Sequence, residues 1–123
     1  MINIKKVHED ARGKLFVMDE DGEEFAHLAT IKAGASRGGH FHDEEEIIRI
    51  LDGELDFMLT DSEGIGEEQR SSLSKGDEIL LEAGMAHLLT AKEDSLLIGF
   101  LKKCRTEVYK PYRNVVESFR NNK

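Results

Sequence analysis

Short apolar runs, separated at close intervals by turns rich in glycine and aspartate, constrain the fold of this chain more than any other feature. Such turns are predicted at Asp19–Gly22, Asp52–Gly53 and Lys75–Asp77. The Asp52–Gly53 pair predicts a two-residue hairpin, with Glu54–Leu59 as its return strand. The segment Glu54–Leu59 alternates polar and apolar residues, as a half-buried strand does. Many short strands joined by tight turns are typical of a β-sandwich or β-barrel. We therefore predict an all-β fold in one domain that spans residues 1–123.

The other elements follow from less regular patterns. Further strands are expected at Ile2–Ile4, Lys14–Met18, Glu24–Lys32, Ile47–Leu51, Glu78–Leu81, His87–Ala91, Ser95–Leu101 and Thr106–Lys110. The polar segment Asp61–Ser74 is expected to be a surface loop. In the C-terminal tail, residues 111–123, the side chains of Tyr112, Val115, Val116 and Phe119 recur at helical intervals. That spacing predicts a short amphipathic helix, packed against the barrel or a second subunit.

The charge, the cysteine count and the length of the apolar runs limit the kinds of partner and the compartment expected for this protein. The chain has a formal net charge of −8, which argues against a nucleic-acid surface because such surfaces need clustered lysine and arginine. Its one cysteine, Cys104, forms no internal disulfide, which fits a reducing cytoplasm. The segment Met1–Asp10 lacks the apolar run of a signal peptide. The longest apolar run, Leu96–Leu101, is far too short to cross a bilayer. We expect a cytoplasmic protein without membrane or nucleic-acid partners.

Two histidines separated by one residue carry the strongest functional signal. In a strand, His40 and His42 point to the same face. A bend at Asp43–Glu45 could bring Glu46, at the start of the next strand, back to the same point. Two imidazoles and a carboxylate are the ingredients of a divalent transition-metal site. Alternatively, the histidines only form hydrogen bonds, or act as acid–base groups without a metal.

The spacing around these residues resembles the first motif of the cupin superfamily. That motif, G-x5-H-x-H-x3-E-x6-G, runs here from Gly34 to Gly53 without departure. Residues 76–91 resemble the second motif, G-x5-P-x-G-x2-H-x3-N, with His87 as its histidine. Glu82 stands where proline is usual and Ala91 where asparagine is usual. Both departures concern the turn and the strand that follows it, and neither removes a metal ligand.

The resemblance implies a double-stranded β-helix barrel with a set of metal ligands. These ligands are His40, His42, Glu46 and His87. Neutral imidazoles with one carboxylate suit Fe(II), Mn(II), Ni(II), Cu(II) or Zn(II) as the cofactor. They leave positions open for water or substrate if the metal is six-coordinate. Because the ligands must be deprotonated, loss of the metal is expected at acid pH.

Three further side chains are candidates for contact with a ligand. Arg37 could hold an anionic substrate through bidentate hydrogen bonds, or be a solvated loop arginine. Phe57 is either a substrate-binding platform or a core residue. His27 either lines the pocket or is a structural or surface histidine.

Several functions remain open at this point. Small cupins with this ligand set resemble sugar or sugar-phosphate isomerases, dioxygenases and decarboxylases, so the resemblance implies a metal-dependent enzyme acting on a small polar substrate. The stretch Arg37–His42 also resembles the R-G-x-H-x-H of sugar-nucleotide 3,4-ketoisomerases, which favours a sugar isomerase or epimerase. The alternatives are a cupin dioxygenase, a non-enzymatic module that binds a small ligand or a metal, and a metal-free epimerase with His40 or His42 as base. A homodimer is expected, because an open sheet edge needs covering.

Overall fold

The computed structural model describes residues 1–102 and 104–121, with side chains described as far as Ser118. Within those residues the chain forms eleven strands and one helix. The strands are β1 (Ile2–Asp10), β2 (Gly13–Glu20), β3 (Glu23–Ile31), β4 (Ser36–His42), β5 (Glu46–Asp52), β6 (Glu54–Asp61), β7 (Gln69–Ser74), β8 (Glu78–Leu81), β9 (Met85–Ala91), β10 (Ser95–Phe100) and β11 (Thr106–Val108). The helix, α1, spans Lys110–Asn121.

The strands form two antiparallel sheets. The first sheet has the order β1-β2-β3-β10-β5-β8, and the second has the order β11-β4-β9-β6-β7. Neighbours in each sheet are often distant in sequence, because the chain crosses repeatedly from one sheet to the other. This winding is that of a double-stranded β-helix, so the predicted all-β barrel of this type, with a short C-terminal helix, is confirmed.

An apolar core fills the space between the sheets. It includes Ala29, Ile31, Ile48, Ile50 and Leu97 from the first sheet, and Leu55, Phe57, Leu73, Leu89 and Ala91 from the second. Within β6, buried Leu55 and Phe57 alternate with exposed Asp56, as the sequence pattern predicts. Burial of alternate residues from both sheets supplies the main hydrophobic driving force of the fold.

Helix α1 packs on the outer face of the second sheet. Tyr112 and Val116 are buried there against Ala86 and Leu88 of β9. The predicted packing of the helix on the barrel is therefore confirmed for Tyr112 and Val116. It is wrong for Val115, which is 45% exposed because it lies on the outer face of the helix, and Phe119 lies outside the described side chains. Among the described residues, no helix combines the length and the apolar character that a membrane crossing requires.

The prediction that Asp61–Ser74 is a loop is wrong in its second half. There β7 pairs along its length with β6 and forms one edge of the second sheet. The strand is polar, and Leu73 is its one buried side chain. It exists because a neighbouring strand offers backbone hydrogen bonds, a tertiary effect that apolar alternation does not report.

Candidate metal centre

Three histidines meet because β4 and β9 pair in register. His40 and His42 both lie on β4, and the pairing sets His40 opposite His87 of β9. A bulge between Gly38 and His40 shifts the register just before the pair. Gly38 has a φ of 108°, and a Cβ there would lie 2.6 Å from the carbonyl oxygen of His87. The close approach of the two strands therefore depends on glycine at this position.

The three rings face one another in the interior. The ring centroids lie 4.7 Å apart for His40 and His42, 4.8 Å for His40 and His87, and 5.6 Å for His42 and His87. One nitrogen from each ring lies within 4.8 Å of the other two. This group could hold a metal ion.

Glu46 reaches the same point from the opposite sheet. After the predicted bend, β5 begins at Glu46, whose side chain is 2% exposed. Its Oε1 lies 3.4 Å from Nε2 of His42 and 3.9 Å from Nε2 of His87. Ligand atoms that share one ion at about 2.1 Å lie roughly 3–3.5 Å from each other, so these separations are close to those of a coordination sphere.

The Oε1 atom of Glu46 is buried and has no hydrogen-bond partner among the described residues. A buried carboxylate oxygen without a hydrogen bond is costly, because the oxygen has lost its hydration and has gained no donor in return. A divalent cation between this oxygen and the imidazoles would remove that cost. The donor set of this structure therefore fits the metal that the sequence motif implies.

Hydrogen bonds outside the cluster orient two of the rings. Nδ1 of His42 lies 2.8 Å from the hydroxyl of Thr106, and Nδ1 of His87 lies 3.4 Å from the carbonyl oxygen of Met85. The Nδ1–H of His87 donates to that carbonyl, so Nε2 of the neutral ring carries a lone pair. Both rings thereby turn Nε2 toward Glu46, as metal-binding histidines do.

Burial keeps two of the three rings, His40 and His87, in their neutral form. It lowers the pKa of His87 to about 4 despite the nearby Glu46 carboxylate, and it lowers the pKa of His40 even further. Both rings are therefore neutral at pH 7, as metal binding requires. Burial would raise the pKa of the Glu46 carboxyl, but the surrounding imidazoles outweigh that effect and hold the pKa below its ordinary value. Neutral imidazoles around an ionised carboxylate suit a divalent cation.

The cluster lines a cavity of about 380 Å³. Its apolar wall includes Leu15, Val17, Ile48, Leu89 and Leu97. Its polar lining outside the cluster includes Arg12, His27, Arg37, Thr106 and Arg113. The volume equals that of roughly a dozen water molecules, which is the size of a site for a small molecule.

Comparison with known proteins settles the family. A family model described as a cupin domain matches residues 27–98, more than half of the chain. This chain is a cupin. The matched range includes all four side chains of the candidate metal centre.

Solved structures share the fold of this cupin at low sequence identity. The capsular polysaccharide assembling protein CapF from Staphylococcus aureus is 17% identical, with a TM-score of 0.69 over 82% of this chain and 28% of CapF. The CENP-C cupin domain of Drosophila melanogaster is 15% identical, with a TM-score of 0.63 over 77% of this chain and 74% of that domain. Bacillus subtilis oxalate decarboxylase, in a structure that concerns its Mn(II) centres, is 17% identical, with a TM-score of 0.70 over 85% and 29% of the respective chains. These likenesses show the fold alone, and the cupin spans less than a third of CapF.

His27 is the site residue whose position the sequence left open. It lines the cavity, and its Nε2 lies 3.3 Å from Oε2 of Glu46, the oxygen turned away from His42. Gly99 of β10 lies between β3 and β5 at this level. A Cβ at position 99 would lie 2.5 Å from the His27 ring and 2.6 Å from Oε2 of Glu46. The His27–Glu46 contact therefore occupies the space that a side chain at position 99 would fill.

The two predicted substrate residues lie in different surroundings. Arg37 lines the cavity of the cupin and is partly buried, so it is not a solvated loop arginine. Phe57 is 6% exposed in the core between the sheets and is not among the described residues that line this cavity. The structure therefore gives no support to Phe57 as a substrate-binding platform, because its face of β6 points to the apolar core. Arg12 and Arg113, which sequence reasoning did not single out, also line the cavity.

Proposed function

We propose that this cupin is a metal-dependent enzyme that acts on a small polar substrate, such as a sugar or sugar derivative, in an isomerase- or epimerase-like reaction. One observation carries the proposal: the unpartnered, buried Oε1 of Glu46 lies among imidazoles on the wall of a cavity that can take a small molecule. Uncompensated buried charge with perturbed neighbours is typical of functional sites. The fold alone would not support this conclusion, since cupins host many functions.

Each part of the site has a role in this proposal. His40, His42, Glu46 and His87 would hold the divalent ion. A bound ion of this kind supplies Lewis-acid polarisation of a substrate oxygen. Mn(II) is one candidate, because the similarly folded oxalate decarboxylase has Mn(II) centres, and Fe(II), Ni(II), Cu(II) and Zn(II) suit the same donors. His27 would orient the Glu46 carboxylate through its other oxygen.

The test begins with metal analysis of the purified protein. We expect one divalent ion per chain in the wild type and its loss in His87→Ala. The matched control is His8→Ala, because His8 lies on the exposed strand β1. Both variants are then assayed on a panel of keto-sugars and diols, and turnover should follow the metal.

The same experiment separates the alternatives. Turnover that survives complete chelation would favour a metal-free epimerase with His40 or His42 as base. Tight binding of a small molecule without turnover would favour a binding module. Oxygen consumption with a diol or related substrate would favour a dioxygenase.

We also propose that the protein is a homodimer in the cytoplasm, as the sequence predicts. Strand β1 supports the dimer, because it forms an edge of the first sheet. Its side chains Ile2, Ile4 and Val7 are 54%, 59% and 49% exposed. An exposed edge strand that carries apolar side chains is a surface that proteins usually cover.

A further inference from the structure

Two guanidinium groups from different elements line the cavity beside the candidate metal centre. Arg37 lies on β4, three positions before His40. Arg12 lies in the turn that joins β1 to β2, and it is 8% exposed. Two cations on one cavity wall, one buried and one partly buried, are unfavourable unless anions compensate them.

Of the two guanidinium groups, that of Arg37 has a buried donor without an acceptor. Its Nε donates to the carbonyl oxygen of Thr30 at 3.3 Å, while one terminal nitrogen is buried without a hydrogen-bond partner. The charge of Asp10, the partner of Arg12, offsets only part of the repulsion that Arg12 exerts on Arg37. Burial, with the added repulsion of Arg12, lowers the pKa of Arg37 to about 10, so the group still carries its charge at pH 7.

Arg12 is fixed in place and already paired. Its Nε and one terminal nitrogen donate to Oδ2 of Asp10 at 3.1 Å and 2.8 Å. The next residue, Gly13, packs directly on the Thr30 carbonyl, the same group that accepts from Arg37. The turn therefore brings Arg12 to the part of the wall where Arg37 lies.

We propose that Arg37 and Arg12 form a subsite for a carboxylate group, so that the substrate is a small monocarboxylate, such as a hydroxy, keto or sugar acid. Arg12 and Asp10 cancel in charge, which leaves the single positive charge of Arg37 to compensate. In the metal-free protein one carboxylate balances that charge, whereas a phosphate dianion would place a second negative charge in the cavity that Glu46 also lines. A planar carboxylate also matches the fork of donors on a guanidinium. The third arginine of the cavity, Arg113, pairs with Glu117 at 3.8 Å.

The ligand of this subsite is a substrate only if the proposed enzymatic function is correct, so this part of the inference rests on the proposed function. Binding to the subsite itself can be tested without turnover. The probes are lactate, lactamide, which has the same shape without the charge, and inorganic phosphate, at matched ionic strength. Binding is followed by the arginine Nε–H signals of ¹⁵N-labelled, metal-free protein, because a bound Zn(II) ion would itself coordinate lactate and phosphate. Lactate should shift the signals of Arg37 and Arg12, lactamide should not, and phosphate should bind more weakly than lactate.

Variants assign the effect to the two residues. Arg37→Gln should weaken lactate binding by about tenfold or more, because a charge-assisted hydrogen bond is lost. Arg12→Gln should weaken it less, and Arg12→Lys less still, since lysine keeps the charge without the fork. Arg49→Gln is the control, because Arg49 is exposed on β5. Three results would overturn the subsite: lactamide binds as well as lactate, phosphate binds more tightly than lactate, or Arg37→Gln binds lactate as the wild type does. If only Arg12→Gln binds lactate as the wild type does, Arg12 is not part of the subsite.

The metal-free variant His87→Ala separates this inference from the proposed function. Lactate binding that persists in His87→Ala, in a protein without turnover on any substrate, would retain the subsite and reject the enzyme. Metal-dependent turnover of neutral sugars in Arg37→Gln at the wild-type rate would retain the enzyme and reject the subsite.

Discussion

Replacing Gly99 with alanine should damage the candidate metal centre without touching any of its ligands. The added Cβ would lie 2.5 Å from the His27 ring and 2.6 Å from Oε2 of Glu46. Ordinary contacts of carbon are about 3.5 Å, so the neighbours must give way by about 1 Å. Both His27 and Glu46 line the cavity, so either side chain can give way only by moving toward it.

The expected magnitudes follow from that overlap. Overpacking in a core costs about 1–3 kcal/mol, and alanine recovers about 0.5–1 kcal/mol relative to glycine within a strand. We therefore expect Gly99→Ala to lower the free energy of unfolding of the metal-free protein by about 0.5–2 kcal/mol. A carboxylate displaced by about 1 Å from His42 and His87 should lower metal affinity by about 10- to 100-fold.

Urea denaturation of the metal-free protein and competition titration with a chelator measure the two effects separately. The double variant His27→Ala/Gly99→Ala is the informative control, because removing the ring gives the Glu46 carboxylate room to move. Its loss of stability should be smaller than the sum of the two single losses. Unchanged stability together with metal affinity within about twofold of wild type would refute the steric reasoning.

Three other perturbations test the remaining parts of the argument. The free energy of unfolding of the metal-free protein should fall as the pH drops from 6.5 toward 4, because unfolded histidines take up protons that buried His40 and His87 do not. The slope should be about 2.7 kcal/mol per pH unit for the two groups, and a flat profile in urea denaturation at pH 7, 6 and 5 would contradict it. Thr106→Ala should lower metal affinity about tenfold by removing the hydroxyl that orients His42, whereas Thr106→Ser should keep it. Equal affinities of the two Thr106 variants in a chelator competition would exclude that role. Ile4→Glu should raise the dissociation constant of the proposed dimer about tenfold or more, because it places a charge on the apolar edge. Light scattering measures this, and a wild-type monomer would reject the dimer.

Local sequence signals predicted much of the fold. The turn at Asp52–Gly53 and the strand at Glu54–Leu59 are both present. The hairpin predicted there is wrong, because β5 and β6 belong to different sheets and the turn carries the chain from one sheet to the other. Strand β7 was not predicted, because its sequence is polar. It forms through backbone pairing with β6. Alternation reports burial of side chains, and an edge strand held mainly by backbone hydrogen bonds has little of that signal.

The candidate site, like the fold, was predicted only in part from local sequence. His27 alternates along β3 with the buried Ala29 and Ile31, which indicates that its side chain faces inward. The alternation does not predict which side chains it contacts there. Its contact with Glu46 depends on β10 lying between β3 and β5 and on Gly99 at the crossing point. Those conditions are set by register across a sheet, and no short stretch of sequence encodes them.

The sequence by itself determined that His40 and His42 share a face and that Glu46 opens the next strand, because strand geometry and a short bend are local. It also placed His87, through a motif whose spacing is preserved. Only the tertiary structure decided that His27 and Arg12 line the same cavity and that Phe57 does not. Those positions depend on which strands pair and in what register. Register is determined by many weak contacts that are spread over the whole chain.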